Sequence, residues 1–518
     1  LNSGVTHLHA HERRLLIRLN LAAARRAKAS ATYQVARALL RLACDLLDSE
    51  EKPVGMAFEV RTERVACEHL AGDNTHALLL LDALEPEVED LVARLRLADL
   101  RVILGVSAGE TDGALTAGRR ALAAAGVHLP EGPEACRLAV AEELATIEAY
   151  LQRTPLRERI AAPAIANPVI RATLTLLADM LAPANMLHPQ LYSLINTTQI
   201  RLSIEHGHTD VSAYTYAVFG YFLATAMGRY EQAEAFGRFA LVLNEALANA
   251  AARCRIRFVF ATYAHFFRPL AAVLNDLNRA FDDGLESGDY IYLSSACSHI
   301  LIIRLSLGEP LDELSEQADG FLELMERTRV ASSIASQRIA RQLIAALRGK
   351  TLAPHRLADE SFDEDTFVAT CEAKGRTFAL HWYATVSLYL AVLYGRLDRA
   401  RALLDRFGDA IRSNYAFYFA TEFAAYACLT LFDLAIAAKS DAEREALLVQ
   451  IDVYRPQVES WATACEANYG SFAHLLAAEL ASAHGDESAA LAGFDAALAS
   501  ARAQKLNSRE ALICERAA

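Results

Sequence analysis

The sequence predicts an all-α fold in which antiparallel helix pairs stack as an α-solenoid. Along most of the chain, apolar residues recur at three- and four-residue steps, as one face of a helix requires. Glycines follow at regular intervals and mark turns between these helices. No segment shows an alternating pattern long enough to predict a β-strand.

The clearest unit covers residues 211–243 and has the pattern of two helices joined by a tight turn. Its first half is apolar on every side up to Gly228, and its second half places Ala233 and Ala240 on one helix face. The order of these small residues matches the tetratricopeptide (TPR) pattern, a helix-turn-helix of about 34 residues. Gly237 stands where that pattern normally has a large aromatic residue. The sequence therefore predicts a TPR-like α-solenoid built from divergent repeats.

The spacing of the turn glycines sets the repeat length. Gly72 and Gly109 are 37 residues apart, which corresponds to one repeat with a slightly long loop. Later turn glycines are 80, 87 and 90 residues apart, close to two units of about 40 to 45 residues each: Gly228, Gly308, Gly395 and Gly485. Arg268-Pro269 lies 40 residues after the first of these and predicts an intermediate turn.

The pattern divides the chain into three parts. Residues 1–150 are predicted to form N-terminal helical repeats, and residues 191–518 a second array of repeats. Between them, residues 151–190 hold five of the thirteen prolines and are interpreted as a Pro-rich joint. Within the second array, an acidic loop is expected near 352–374, and its carboxylates are interpreted as solvated charge rather than a metal site.

Composition restricts the class of protein. The net charge of −13, with acidic and basic residues interleaved, argues against a nucleic-acid partner. Nine cysteines without a C-x-x-C pair indicate reduced thiols and predict a cytoplasmic protein. Two uncharged runs, 211–228 and 377–395, are interpreted as buried first helices of repeats, so no membrane insertion is expected.

We find no catalytic, cofactor or metal motif and predict a region that is not an enzyme. Gly349-Lys350-Thr351 resembles the end of a phosphate-binding loop, but Ile344 occupies the position of the loop's first glycine, so Gly349 is interpreted as a helix terminator. Two groups of alternating histidines are more often incidental than metal-binding: His7, His9 and His11, and His206 and His208.

The repeat register predicts a binding surface, because a solenoid presents the first helices of successive repeats on one concave face. Six residues are expected to line this groove and to bind an acidic or partly apolar peptide: Arg255, Phe258, Thr262, His265, Trp382 and Tyr389. The alternative is that the aromatic residues lie in the core and Arg255 is merely solvated.

Several phrases along the chain are similar to the helical region that follows the ATPase module in bacterial hybrid signalling proteins. Those proteins combine a serine/threonine kinase, an AAA/STAND-type ATPase, helical repeats, a GAF domain and a sensor histidine kinase. The phrases include RLNLAAARRAKASATYQVA, RLSIEHGHTDVSAYTYAVFGYFL, GRYEQAEAFGRFALVL, FFRPLAAVLNDLNRAFDDGLESGDYIYLSSACSH, SFDEDTF and WATACEANYGSFAHLLAAELA.

This resemblance implies a non-catalytic region of a longer kinase/ATPase that relays state between modules and has protein partners. Kinase, phosphate-loop and phospho-acceptor motifs are absent from these residues, so no active-site residue is carried over. The alternative function is a sensor that binds a peptide or small-molecule effector in the concave groove.

Overall fold

The structure is a computed structural model that describes residues 9–30, 32–47, 54–328, 331–412 and 415–518. In these ranges the regular elements are α-helices and short 3-10 turns, and the β-structure consists of one isolated bridge between Ala164 and His208. The predicted all-α fold of paired helices is confirmed. The chain forms two compact units, Leu1–Thr215 and Tyr216–Ala518, called here the N-terminal and the C-terminal unit.

The helices of the N-terminal unit are α1 (Ala10–Ala29), α2 (Tyr33–Asp45), α3 (Met56–Leu70), α4 (Asn74–Leu84), α5 (Leu91–Ala108), α6 (Thr111–Ala124), α7 (Pro133–Arg153), α8 (Pro168–Leu187) and α9 (Pro189–His206). Helix α10 (Ser212–Met227) begins at the end of this unit and continues into the next.

The C-terminal unit continues with α11 (Tyr230–Ala246), α12 (Arg253–Ala264), α13 (Leu270–Ser287), α14 (Tyr290–Ser306), α15 (Leu311–Thr328), α16 (Ala331–Leu347), α17 (Glu364–Ala373), α18 (Thr377–Leu393), α19 (Leu397–Arg412), α20 (Tyr418–Ala437), α21 (Asp441–Ile451), α22 (Arg455–Ala464), α23 (Glu466–Ala483), α24 (Glu487–Ala503) and α25 (Asn507–Ala517).

The predicted Pro-rich joint at 151–190 does not coincide with the boundary between the units. It contains α8, whose Leu174, Leu177 and Met180 are buried in the core of the N-terminal unit. Pro168 and Pro189 stand at the first positions of α8 and α9, where the missing N–H of proline costs no helix hydrogen bond. These two prolines therefore start helices, while Pro183 lies inside α8 without ending it.

In the C-terminal unit, alternate helices form a buried inner layer. Helices α12, α14, α16, α18, α20 and α23 each contact the next member of this series, and α13, α15, α19 and α24 pack on them as outer partners. The predicted turn glycines are confirmed, since all four follow a first helix with φ between 60° and 78°: Gly228, Gly308, Gly395 and Gly485. Pro269 caps the start of α13 at the predicted intermediate turn.

Helix α20 is the centre of the C-terminal unit. By length and composition it could cross a membrane, but 78% of its apolar stretch is buried inside the unit. Runs of this kind occur in the core of helical proteins, where a helix is surrounded by others on all sides. Unlike the predicted uncharged runs 211–228 and 377–395, this helix contains Glu422 and Asp433, so the sequence did not predict it as a buried apolar helix.

The acidic stretch at 352–374 is irregular up to residue 363 and continues as α17. The prediction of solvated charge is wrong for Glu364, which is fully buried at the start of α17. Its carboxylate accepts hydrogen bonds from Tyr383 Oη (2.8 Å), Arg356 Nε (2.9 Å) and the guanidinium of Arg399. A buried carboxylate with three donors ties the loop to α18 and α19.

Three alanines expected at close helix contacts are confirmed as buried: Ala233, Ala400 and Ala490. The crossing at Ala233 is tight, because a Cβ added to Gly220 on α10 would come within 3.0 Å of the Ala233 carbonyl oxygen.

We therefore expect Ala233→Leu to lower the free energy of unfolding by about 1–3 kcal/mol through overpacking. The matched control is Ala235→Leu, an exposed position on the same helix, which should change stability little. Urea unfolding of both variants is the measurement. Equal effects of the two changes would show that α10 and α11 do not cross as described.

Candidate functional site

The structure does not place the six predicted groove residues on one open surface. His265 and Trp382 are fully buried, and Phe258 and Thr262 are also buried. Only Arg255 and Tyr389 keep partial exposure. The prediction of one accessible channel is therefore wrong for His265 and Trp382. Both side chains lie in the core, as the alternative interpretation of the sequence expected.

The reason is that later helices of the same chain cover this face. The hydroxyl of Tyr469 on α23 lies 2.5 Å from His265 Nδ1, and His265 Nε2 lies 3.4 Å from the Ala416 carbonyl oxygen. Asn468 Nδ2 donates to the carbonyls of His265 (2.6 Å) and Arg268 (2.7 Å). The first turn of α23 thus occupies the space that an external peptide would need.

Helix α20 covers Trp382 in the same way. Phe419 stacks on the indole with ring centroids 4.1 Å apart, and His299 meets it edge-on at 5.5 Å. Burial lowers the pKa of His299 to about 4 and that of His265 to about 3, so both rings are neutral at physiological pH. These histidines are core residues rather than ligands for an acidic partner.

Arg255 also has an internal partner. Its Nε donates to Asp289 Oδ2 at 3.1 Å, and its guanidinium lies 5.7 Å from the ring centroid of Tyr292. The side chain is 43% exposed, so the pair is near solvent and contributes little to stability.

The accessible remainder of the predicted groove is a narrow cleft between the inner helices, and Tyr389 lines it. The cleft has a volume of about 30 Å³. Its apolar walls come from α14, α16, α18 and α20: Ile302, Leu305, Leu343, Val386 and Phe419. Its polar lining comes from these helices and α25: Ser306, Thr385, Tyr389, Glu422, Tyr426 and Ser508. We take this cleft as the candidate site.

Helix α25 closes one side of the cleft. Ser508 Oγ donates to the Ser306 carbonyl at 3.4 Å, which joins α25 to the end of α14. The next residue, Arg509, is buried, and its guanidinium donates to Glu422 Oε1 at 3.0 Å. Arg509 is not among the residues that line the cleft, so Glu422 is the one charged side chain that the described residues contribute to its lining.

A polar group in the cleft has no partner. Thr385 is 3% exposed, and its Oγ1 has no hydrogen bond in the described part of the chain. A threonine in a helix usually bonds to a carbonyl one turn earlier, as Thr430 does to Tyr426 at 2.9 Å. An unpaired buried hydroxyl costs free energy, so its retention favours a role in binding.

A larger open cleft of about 370 Å³ lies at the other end of α20, next to α21 and α23. Two of its charged groups already have partners, since Arg444 donates to the Ala483 carbonyl and Glu479 accepts from Arg516 Nε at 2.6 Å. It offers no buried unpaired group comparable to the Thr385 hydroxyl.

The structure describes all but one of the residues that were considered as metal or phosphate ligands. In the described ranges no group of three His, Cys, Asp or Glu side chains could hold a metal ion. His208 is buried with Nε2 2.8 Å from the Arg159 carbonyl, whereas His206, His9 and His11 are exposed and His7 lies outside the described residues. Gly349 follows α16 with φ 67°, which confirms it as a helix terminator.

The residue that sequence reasoning missed is Glu422. It is one of two carboxylates in the otherwise apolar run 418–437, the other being Asp433, and a carboxylate in such a run was a usable signal. An ionised side chain within a buried helix is found where it is paired or functional.

These observations define a helical-repeat protein with a polar cleft among its inner helices. No protein-family model matches the chain. A segment of 167 residues is 22% identical to hybrid signal transduction histidine kinase G of Dictyostelium discoideum. That match covers 31% of this chain and 5% of the relative, so the chain spans a small part of that protein's length.

Among solved structures, Naa15/Naa10 bound to HypK-THB has 12% sequence identity to this chain and a TM-score of 0.18. The match covers 94% of this chain and 89% of the other.

Proposed function

We propose that this chain is a non-catalytic, helical-repeat region of a multidomain signalling protein, which binds neighbouring kinase or ATPase modules and relays their state. The observation that carries the proposal is the 167-residue likeness to a hybrid histidine kinase in a chain built of helix pairs. Stacked helix pairs suit such a role because a module bound to one pair can bias the packing of the pairs that it contacts.

The proposal places the protein in the cytoplasm. All nine thiols are free, as a reducing compartment would keep them. Burial raises the pKa of the Cys67 thiol to about 11, which keeps it protonated and unreactive. The net charge of −13 is consistent with protein partners rather than nucleic acid.

The test is direct binding of the whole chain to separately purified serine/threonine kinase, ATPase and histidine kinase modules of the hybrid signalling type. We expect at least one module to bind with a roughly micromolar dissociation constant. We also expect the chain to change histidine autophosphorylation several-fold. A helical-repeat protein of unrelated sequence is the control. Absence of binding to all three modules at concentrations of about 100 μM would contradict the proposal.

A second candidate function is ligand sensing, and the cleft favours it. An effector held between α14, α16, α18 and α20 would contact four successive repeats at once. Binding there would stabilise one packing of those helices over others, as any ligand with different affinities for two states must do. Its measurement is ligand binding to the isolated chain, independent of the modules.

A further inference from the structure

The cleft presents hydrogen-bond acceptors toward its interior. Glu422 is 9% exposed, and its Oε1 accepts from both Tyr418 Oη (2.8 Å) and Arg509 Nη2 (3.0 Å). A carboxylate can accept about four hydrogen bonds. Both of the bonds from Tyr418 and Arg509 go to the same oxygen, and no bond from the described residues reaches the second one. The Thr385 hydroxyl also has no partner among the described residues. A hydroxyl both accepts and donates, whereas the free carboxylate oxygen only accepts, so a ligand at this oxygen must bring an N–H or O–H donor.

The aromatic walls favour a cationic donor over a neutral one. Tyr389 and Tyr426 line the cleft with ring centroids 5.2 Å apart and planes 36° from each other. Phe419 adds a third ring. Faces of aromatic rings attract ammonium groups, and the attraction increases where water is excluded. Burial raises the pKa of both tyrosines, so they present neutral rings and hydroxyls.

The guanidinium of Arg509 does not oppose such a ligand from inside the cleft. It points to α23, where Nη1 donates to the Asn468 carbonyl and lies 3.4 Å from Ser471 Oγ. Its carbon lies 4.0 Å from the ring centroid of Phe472. Arg509 offsets the charge of Glu422, and the second carboxylate oxygen keeps lone pairs that can accept a hydrogen bond.

The size of the cleft limits the head group. A volume of about 30 Å³ holds about two water molecules, since each needs about 10–15 Å³ of this measure. A primary ammonium with its first methylene has two heavy atoms and fits this space, whereas a trimethylammonium with its first methylene has five and does not.

We propose that the cleft binds the primary ammonium group of a short alkylamine or of a lysine side chain. Glu422 and Thr385 accept its N–H bonds, Tyr389 and Tyr426 face its charge, and Leu305 and Leu343 contact the alkyl stem. The proposal rests on the ligand-sensing candidate and specifies the class of ligand. Ammonium binding in the cleft does not depend on binding of kinase or ATPase modules, so each of the two proposals can be disproved without the other.

The experiment is isothermal titration calorimetry of the whole chain with three probes of matched length: n-butylammonium, butyltrimethylammonium and butanol. We expect n-butylammonium to bind with a roughly millimolar dissociation constant and the other two at least tenfold more weakly. Equal binding of all three, or no binding of n-butylammonium, overturns the proposal. Peptides that contain lysine or acetyl-lysine test whether a lysine side chain supplies the ammonium group. If it does, the lysine peptide binds and acetylation weakens that binding.

Thr385→Val removes the unpaired hydroxyl and keeps the side-chain shape. We expect it to weaken n-butylammonium binding roughly tenfold or more, because a hydrogen bond to a charged group is lost. The matched control is Thr262→Val, a buried threonine on α12 outside the cleft, which should bind like the parent chain. Unchanged binding by the Thr385→Val protein would place the ligand elsewhere and reject the assignment.

Discussion

Replacing Trp382 by alanine is expected to lower the free energy of unfolding by about 3–5 kcal/mol, the usual cost of removing a large buried aromatic. The indole is fully buried between Phe419, stacked at 4.1 Å, and His299. Truncation leaves a cavity between α18 and α20 that the well-packed inner layer can close only in part. Urea unfolding followed by circular dichroism measures the loss.

The control for Trp382→Ala is Arg255→Ala. The two residues were predicted to share one groove, but Arg255 is 43% exposed and pairs with Asp289 near solvent. Its removal should change the free energy of unfolding by at most about 1 kcal/mol. If Trp382→Ala leaves stability unchanged and instead abolishes binding to a protein partner, the tryptophan lies in a groove and the core assignment is wrong.

Arg509→Met is expected to destabilise the chain by about 3–5 kcal/mol, because it leaves the Glu422 carboxylate without its counter-charge in the interior. The side chains of Arg509 and Glu422 are 3% and 11% exposed. Its guanidinium also donates to Tyr418 Oη at 2.6 Å, so the change removes bonds to α20 and to α23. Thermal unfolding and amide exchange of α25 are the measurements.

Two further variants separate the charge from the packing. Arg509→Met combined with Glu422→Gln should recover part of the lost stability, since the double change leaves no uncompensated charge. Arg502→Met is the matched control, because Arg502 forms an exposed ion pair with Glu510 and its loss should have little effect. If the double variant is no more stable than Arg509→Met, the charge on Glu422 is not the cause.

The sequence alone determined the local structure. Periodic apolar residues and glycine spacing predicted the helices and the turns at Gly228, Gly308, Gly395 and Gly485, and these were confirmed. They also predicted the burial of Ala233, Ala400 and Ala490. Such features depend on residues three, four or about forty positions apart, so a linear pattern contains them.

Only the tertiary structure decided which faces are covered. The repeat register placed Trp382 and His265 on an inner face, but it could not show that α20 and α23 of the same chain fill that face. The burial of Glu364 was hidden for the same reason, because two of its partners, Tyr383 and Arg399, lie on other helices. Residues such as Glu422 and Thr385 acquire their roles from long-range packing, which determines the partners a polar group finds and those it lacks.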